Sequence, residues 1–428
     1  MKKPNQLLIR ARFMLPMDGK GGRAERIEDG YLLTKGARIA EAGRYTPEAG
    51  ARILAACGDD LRVVGAGTGP GGERIPRLNG ALLPGFVKAH GHDHESAIIG
   101  VAKDQPLTAW LDNAVNPFTG FLSENVKRLE EEFRRSPNEV AYRKARLDDV
   151  SYGITSALTH HCNFSKYHVR ELVKANTEAG TRLTIAVGSQ DRHYDARILD
   201  TPAQAVERVD GYAREFAAVP RVRIIPGPDQ FFSNGPELLK GVKRWARDHG
   251  TLIHTHSSEE PGTTRWFVET YGMTEVEYAH GIGFLDGDTI LAHQVNCTDR
   301  DLEILRDTGV KIVHNPLANT ILGSGMPPLI RMMAMGIPVA VSTDGSGSAD
   351  NQNILNAARV AAQYQKALHQ DATLLPAQRM LELITVEPAR MLGLNAGSLE
   401  PGRDADFVLI DLRGAHLTPT RLDNVAET

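Results

Sequence analysis

The chain has 428 residues, 41% of them hydrophobic, which is enough to bury one large domain and a smaller one. Lysine and arginine number 49 and aspartate and glutamate 53, so the formal net charge is −4 and no basic surface suited to a phosphate backbone is indicated. Composition and charge therefore exclude a disordered or fibrous chain and argue against nucleic acid as a partner.

The first residues and the cysteines bear on the cellular compartment. The start of the chain is too short and too interrupted by arginine for a signal peptide, and no long uncharged apolar stretch follows it. Cys57, Cys162 and Cys297 are far apart and form no Cys-x-x-Cys pair, so neither a disulfide framework nor a thiolate zinc site is indicated. We therefore expect a cytoplasmic protein with no membrane partner.

Residues 1–82 are predicted to form short strands separated by glycine and charged turns. The predicted strands are Leu7 to Phe13, Gly30 to Leu33, Arg38 to Ala42 and Arg62 to Val64. A glycine-rich stretch at 65–72 has the spacing of no phosphate loop and opens no helix, so it predicts a hairpin or a flexible loop.

From residue 83 onward, apolar runs of strand length alternate with segments of helical periodicity. The eight runs are Leu83 to Ala89, Thr155 to Thr159, Leu183 to Gly188, Val222 to Pro226, Leu252 to Thr255, Ile290 to His293, Val310 to His314 and Val339 to Thr343. Helix-like stretches between them include Ala203 to Ala218, Pro236 to His249, Asp299 to Thr308 and Met326 to Met335. This α/β alternation predicts a (β/α)8 barrel, whose active site lies at the carboxyl ends of the strands.

Polar residues stand at the ends of these predicted strands. His90 and His92 end the first run, and side chains two residues apart on a strand point to the same side, so both imidazoles can hold one metal ion. His256 follows the fifth run, His293 ends the sixth and Asp344 follows the eighth. Any one of them alone would be read as a hydrogen-bonded core residue. Five on one rim favour an active site.

Seven motifs occur in order along nearly the whole chain. They are Pro84-Gly85-Phe86-Val87 with His90-Gly91-His92, the loop Gln105 to Leu111, His254-Thr255-His256-Ser257-Ser258-Glu259, Leu291-Ala292-His293-Gln294, His314-Asn315-Pro316, Ser342-Thr343-Asp344-Gly345 and Gly397 to Val408. This combination resembles the amidohydrolase superfamily. It is most similar to the branch of cytosine-deaminase-like aminohydrolases, methylthioadenosine/S-adenosylhomocysteine deaminases and triazine chlorohydrolases.

The resemblance implies a domain organisation. Residues 83–392 would form the TIM-type barrel, and residues 1–82 and 393–428 would form a small β-sandwich built from both chain ends. Family members usually continue for several more strands, so we expect the C-terminal part of this sandwich to be truncated or unusually small. Many relatives are dimers, and a homodimer is expected by that analogy.

The resemblance also implies a metal site. Carried over position by position, His90, His92, His256 and Asp344 would bind one divalent metal per chain. Binuclear family members bridge two metals with a modified lysine at the fourth strand, where this chain has Pro226-Gly227-Pro228-Asp229, so we expect a mononuclear site. Three imidazoles and one carboxylate suit Zn²⁺, while Fe²⁺ and Mn²⁺ are possible.

These residues predict a hydrolytic deaminase of an amino-substituted N-heterocycle of the purine, pterin, pyrimidine or triazine type. A metal lowers the pKa of its water toward about 7, and Asp344 would take the proton. Glu259 would protonate a ring nitrogen, and His293 would orient the hydroxide that attacks the amidine-like carbon or polarise the group under attack, so that ammonia leaves. The same site could instead release chloride or an alkylamine or open a cyclic amide. A non-catalytic binding relative fits less well, because all four ligand positions are present.

Further residues are candidates for substrate contact. Many nucleoside-type relatives have histidine after Gly-Pro at the fourth strand, where this chain has Asp229, which favours a substrate with N–H donors or a cation; a helix cap or a place on the solvent rim is the alternative. Trp110 belongs to the loop after the first strand. Phe232 could stack on a flat ring or merely pack, Asn319 could contact substrate or position its loop, and His94 could face the substrate or be a plain loop residue.

Two details of the first motif depart from the family. The residue between the two histidines is Gly91, where threonine is usual, and Asp93 adds a carboxylate close by. We therefore expect an acidic pocket.

Overall fold

The computed structural model describes residues 4–18, 22, 24–67 and 73–428. It divides into two compact units, one made of Met1–Val87 and Leu375–Thr428 and the other of Lys88–Leu374. The predicted domain boundaries after residues 82 and 392 stay predictions. Of the glycine-rich loop expected at 65–72, residues 65–67 lie in a turn and 68–72 lie outside the described residues.

Within the described residues the chain forms fourteen strands. They are β1 Gln6–Met14, β2 Ile27–Lys35, β3 Arg38–Arg44, β4 Leu61–Val63, β5 Leu78–Pro84, β6 Phe86–Lys88, β7 Ile154–His161, β8 Arg182–Ser189, β9 Val222–Pro228, β10 Ile253–Ser257, β11 Thr289–His293, β12 Lys311–His314, β13 Val339–Val341 and β14 Phe407–Asp411.

The α-helices in the same residues mostly follow the strands of the second unit. They are α1 Pro47–Cys57, α2 Leu107–Trp110, α3 Asn116–Glu124, α4 Val126–Phe133, α5 Pro137–Ser151, α6 Val169–Ala179, α7 Pro202–Phe216, α8 Pro236–Asp248, α9 Pro261–Tyr271, α10 Glu275–Gly281, α11 Asp299–Thr308, α12 Pro316–Ile321, α13 Leu329–Ala334, α14 Ser346–Ala349, α15 Ile354–His369, α16 Ala377–Glu382 and α17 Val386–Met391. A π-helical turn, Leu111–Val115, joins α2 to α3. No described helix combines the length and apolar composition that a membrane crossing requires.

Local signals set the helix ends. Thr201 and Thr298 precede α7 and α11, and each accepts a hydrogen bond from a backbone N–H three residues on while Gln204 or Asp301 bonds back, which completes a capping box. Gly309 ends α11 with a φ of +70°, a conformation that glycine adopts without strain. The helix predicted from the sequence at this place has the same bounds as α11.

The first unit holds one six-stranded sheet in the order β14-β5-β1-β2-β3, with β4 paired to β1. One hydrophobic cluster of this unit contains Ile9, Leu32, Ile39, Leu82 and Leu399, so residues from both chain ends share one core. The predicted small domain built from both chain ends stays a prediction. The structure describes a single sheet here, and the β-sandwich stays a prediction.

Two four-stranded sheets have the orders β6-β7-β8-β9 and β10-β11-β12-β13, and all of their strands except β6, which ends at the first residue of the second unit, lie within that unit. The pairs from β7 to β9 and from β10 to β13 are parallel, and a parallel bridge between Gln230 and His256 joins the two sheets. Buried, helix-flanked parallel strands explain the nearly continuous apolar runs in the sequence. Each of the eight predicted runs overlaps one or more of these strands, and the mixed α/β class is as predicted.

The first predicted strand, Leu83 to Ala89, is wrong as a single element. β5 ends at Pro84 and β6 begins at Phe86, and the two strands belong to different sheets. Proline has no N–H for a sheet ladder, and the N–H of Gly85 donates to the Asp406 carbonyl at 3.2 Å. The apolar run is therefore divided between two consecutive strands that belong to different sheets.

Candidate metal centre and active site

The end of β6 brings two imidazoles into the candidate site. His92 Nδ1 lies 2.9 Å from the carbonyl oxygen of His160, so this nitrogen carries the proton and Nε2 carries the lone pair. His90 Nδ1 lies 3.1 Å from His254 Nε2, and His90 Nε2 is buried with no hydrogen-bond partner. His92 therefore offers Nε2 as a free acceptor, and His90 does so in the tautomer in which its Nδ1 donates to His254 Nε2.

His256 and Asp344 complete the donor set. Asp344 Oδ1 lies 3.2 Å from His90 Nε2 and 3.5 Å from His92 Nε2. His256 Nδ1 donates to the Asp229 carbonyl at 2.7 Å, and its Nε2 lies 3.1 Å from that of His92. Because both Nδ1 atoms donate to carbonyls, two lone pairs face each other at this distance, and a cation between them removes the repulsion.

The protonation states of the histidines also suit metal binding. Burial lowers the pKa of His92 to about 3, and burial with neighbouring imidazoles lowers that of His90 well below its usual value. Both rings are therefore neutral at pH 7, as a metal ligand must be. Three imidazole nitrogens and a carboxylate oxygen are a donor set that Zn²⁺ prefers. The residues present fit the predicted metal.

Glu259 and His293 lie beside this donor set. Glu259 Oε2 is 3.4 Å and Asp344 Oδ2 is 3.7 Å from His293 Nε2. Asn319 Nδ2 donates to His293 Nδ1 at 3.0 Å, so the ring proton sits on Nε2 and points toward the two carboxylates. Burial, with Asp344 nearby, raises the pKa of Glu259 well above its usual range. The raised pKa favours the protonated form of Glu259, the form that can donate a proton.

Two of these residues have an unusual backbone. His293 has a φ of +76° and Asp344 a φ of +74°, the left-handed region that side chains other than glycine rarely adopt. Such a conformation costs of order 1–3 kcal/mol and persists only where the surroundings hold it. Both side chains reach the site because of these turns.

A cavity opens at the donor set and shows where a substrate could lie. Its wall consists of His92, His94, Glu95, Leu107, Trp110, Leu111, Val115, Cys162, Asn163, Tyr194, Asp229, Gln230, His256, Glu259, His293, Leu322, Asp344 and Ser348. Of the predicted substrate contacts, Trp110, His94 and Asp229 lie in this wall. Phe232 and Asn319 are not among the wall residues but contact residues that are. The ring of Phe232 lies 6.4 Å from that of Tyr194, and Asn319 contacts His293. The roles of all five stay predictions.

Asp93 does not contribute to the expected acidity of the pocket. Arg146 donates to both of its oxygens at 2.6 Å, both side chains are buried, and Asp93 is absent from the cavity wall. This part of the expectation is wrong because a long-range ion pair, invisible in the local sequence, turns the carboxylate away. The carboxylates in the wall beyond the predicted catalytic pair are Glu95 and Asp229.

Sequence reasoning missed several residues of the site. His160 supplies the carbonyl that orients His92, and it directly follows the predicted run Thr155 to Thr159, so the strand-end rule could have found it. Glu95 lies three residues after His92 and accepts from Ser348 Oγ at 3.0 Å. Tyr194 follows no predicted strand directly and had no signal in the sequence.

Comparisons with known proteins identify the family. A model of the amidohydrolase family matches residues 81–427. A protein of Haloarcula marismortui named 5-methylthioadenosine/S-adenosylhomocysteine deaminase is 30% identical over 393 residues, which cover 91% of this chain and 86% of that protein.

Solved structures give the same result for the fold. A zinc-bound atrazine chlorohydrolase from Arthrobacter aurescens has a TM-score of 0.80 and 23% identity over 97% of this chain and 89% of that one. A guanine deaminase from C. acetobutylicum, with guanine in its active site, has a TM-score of 0.80 and 18% identity over 95% and 90%. Together with the family match, these findings confirm the resemblance: the chain belongs to the amidohydrolase family and is a hydrolase of carbon–nitrogen bonds.

Proposed function

We propose that the protein is a hydrolytic deaminase that removes ammonia from an amino-substituted N-heterocycle with the help of one divalent metal, zinc by preference. One observation carries the proposal: His92 and His256 hold their ring protons on Nδ1 and bring their Nε2 atoms within 3.1 Å of each other, while Asp344 Oδ1 lies 3.2 Å from His90 Nε2 and 3.5 Å from His92 Nε2. The deaminase name of the Haloarcula relative supports the reaction type.

The chemistry that a divalent metal supplies in such a site is Lewis acidity toward water. The residues handle the protons. Asp344 Oδ2, which points toward His293 Nε2, accepts a proton from the attacking water. Protonated Glu259 donates to a ring nitrogen, so that the neighbouring carbon becomes electrophilic. His293 Nε2–H stabilises the oxygen that adds to this carbon. The amine then takes the proton held by Asp344 and leaves as ammonia, while the added hydroxyl returns a proton to Glu259 as it becomes the carbonyl.

The cavity wall supports a flat, uncharged or cationic substrate. Trp110, Leu111 and Leu322 provide apolar surface for a ring. We propose that Asp229 accepts an N–H of the substrate, since its carboxylate is buried in the wall beside the hydroxyl of Tyr194, whose pKa burial and Asp229 raise. No lysine or arginine lies among the described residues of the wall, which argues against a phosphorylated substrate.

We also propose that the two four-stranded sheets close into one barrel. On one side, the bridge between Gln230 and His256 joins β9 to β10. On the other side, Ser342 Oγ donates to the His90 carbonyl at 2.7 Å, close to the ends of β13 and β6. A closed barrel would place all the predicted ligands on one rim.

The test is a substrate screen with metal-loaded protein. Aminopurines, pterins, aminopyrimidines and aminotriazines are incubated with the enzyme, and ammonia, chloride and alkylamine are measured in parallel. We expect ammonia from at least one ring class and none from a His92→Ala variant. Release of chloride or alkylamine without ammonia would instead identify a different leaving group, and activity retained in His92→Ala would contradict the proposed centre.

A further inference from the structure

A lysine is buried two residues before the first proposed ligand, His90. Lys88 is 2% exposed and ends β6, and its Nζ lies 2.7 Å from Asp149 Oδ1 and 2.8 Å from Gln352 Oε1. A buried ammonium is tolerated only where it is paired and hydrogen-bonded. Asp149 neutralises its charge, but Gln352 is a neutral group that charge balance does not require.

Gln352 connects this lysine to Asp344. Its Oε1 also accepts from Thr343 Oγ1 at 2.8 Å, while its Nε2 donates to the Asp344 carbonyl at 3.1 Å. An ammonium can only donate, so Lys88 requires that the amide oxygen of Gln352 face it. The amide nitrogen is thereby aimed at the Asp344 carbonyl, and the lysine determines the orientation of the amide.

The backbone of Asp344 needs such a support. Its φ of +74° is strained, and the bond from Gln352 holds the carbonyl that this turn redirects. Gly91 leaves room for the arrangement, because a Cβ there would lie 3.0 Å from the Asp344 carbonyl oxygen and 3.1 Å from Lys88 Cε. The glycine between the two histidines, unusual for the family, is therefore explained by Lys88 and Asp344.

The charges around Lys88 cancel. Arg146 bonds both Asp93 and Asp149, and the four side chains form a buried cluster of two cations and two carboxylates on β6, its following loop and α5. The cluster adds no net charge beside the proposed metal ligands. Its effect on the site therefore passes through geometry, by way of Gln352.

We propose that Lys88 is a positioning residue for Asp344, which it reaches through Gln352. The proposal rests on the proposed function, in which Asp344 is a metal ligand. Loss of Lys88 frees the amide of Gln352, removes the support of the Asp344 carbonyl and disorders the carboxylate donor.

The first experiment compares Lys88→Met with Lys243→Met. Lys243 is a matched control, since it is also 2% exposed and bonds Asp286 at 2.6 Å and Thr289 at 2.9 Å, none of which lies in the cavity wall. Cobalt(II) is the probe, because its visible absorption reports the ligand geometry without turnover. We expect Lys88→Met to bind cobalt about 10 to 100-fold more weakly, with an altered spectrum, and Lys243→Met to match the wild type.

The second experiment uses Gln352→Leu, which leaves the Lys88–Asp149 ion pair in place and so does not depend on the folding of Lys88→Met. We expect the same weakening of cobalt binding, and a double variant no weaker than either single one, because both act along one route. Cobalt affinity of Gln352→Leu within twofold of the wild type, or additive losses, would overturn the inference. Wild-type protein that binds no cobalt would instead refute the proposed metal centre.

Discussion

The imidazoles of the proposed ligands His92 and His256 are oriented by main-chain carbonyls, whereas Asp344 stands on a strained turn that side chains support. A carbonyl within a buried sheet cannot be removed by substitution of the residue that carries it. A supporting side chain can be removed. We therefore expect the histidine side of the site to tolerate changes around it, while the aspartate side depends on the side chains of Gln352 and Lys88.

Removal of the metal should have the largest effect, because the histidines and Asp344 are all proposed to bind it. We expect one metal per chain, and loss of turnover to background after chelation, with recovery when zinc is added back. Elemental analysis and activity before and after chelation measure this. Two metals per chain, or full activity without metal, would contradict the mononuclear centre.

Glu259→Gln tests the proposed proton donor, which lies on the Asp344 side of the site. The amide keeps the shape but has no acidic proton, so we expect the metal to stay bound and kcat to fall at least about 100-fold. Glu260→Gln is the matched control, since its carboxylate bonds Thr108 and Thr263 and lies outside the cavity wall. Near wild-type turnover in Glu259→Gln would move the acid role to another group, with His293 examined first.

Asp229 has two roles that a substitution can distinguish. Its carbonyl orients His256, while its carboxylate faces the cavity. Asp229→Asn keeps the carbonyl, so we expect bound metal to be unchanged and kcat/KM on the native substrate to fall roughly 10 to 100-fold, from about 1–3 kcal/mol for an unpaired buried donor. Kinetics across a heterocycle panel measure this. Unaltered relative rates across the panel would remove Asp229 from substrate recognition.

The last prediction concerns stability in acid, to which buried imidazoles outside the proposed ligand set contribute. Burial lowers the pKa of both His161 and His314 to about 3, below an unfolded value near 6.5. Between these values the unfolded chain binds more protons, so the unfolding free energy falls as pH drops, by about 1.4 kcal/mol per pH unit for each histidine. Denaturant titrations of wild type and His314→Leu from pH 6.5 to 4 should show a shallower decline in the variant. Parallel curves would show that His314 does not titrate on unfolding.

Much of the site could be predicted from the sequence. The His-x-His after an apolar strand, the histidines at later strand ends and Asp344 were identified by position alone, and the structure brings them together at one place. The reason is that strand periodicity is local and that parallel strands bring their carboxyl ends to one edge. The order of the motifs was enough to indicate the family.

The tertiary structure decided what each of these residues does there. The tautomers of His92 and His293 depend on partners 68 and 26 residues away, and Asp93 is removed from the pocket by Arg146, 53 residues away. The contact between Lys88 and Gln352 spans 264 residues. Such pairings follow from the way the whole chain packs, and no local spacing encodes them. The sequence by itself therefore determined which groups meet, while the direction of their protons and lone pairs was decided by packing, because a hydrogen bond is set by the partner that burial places beside it.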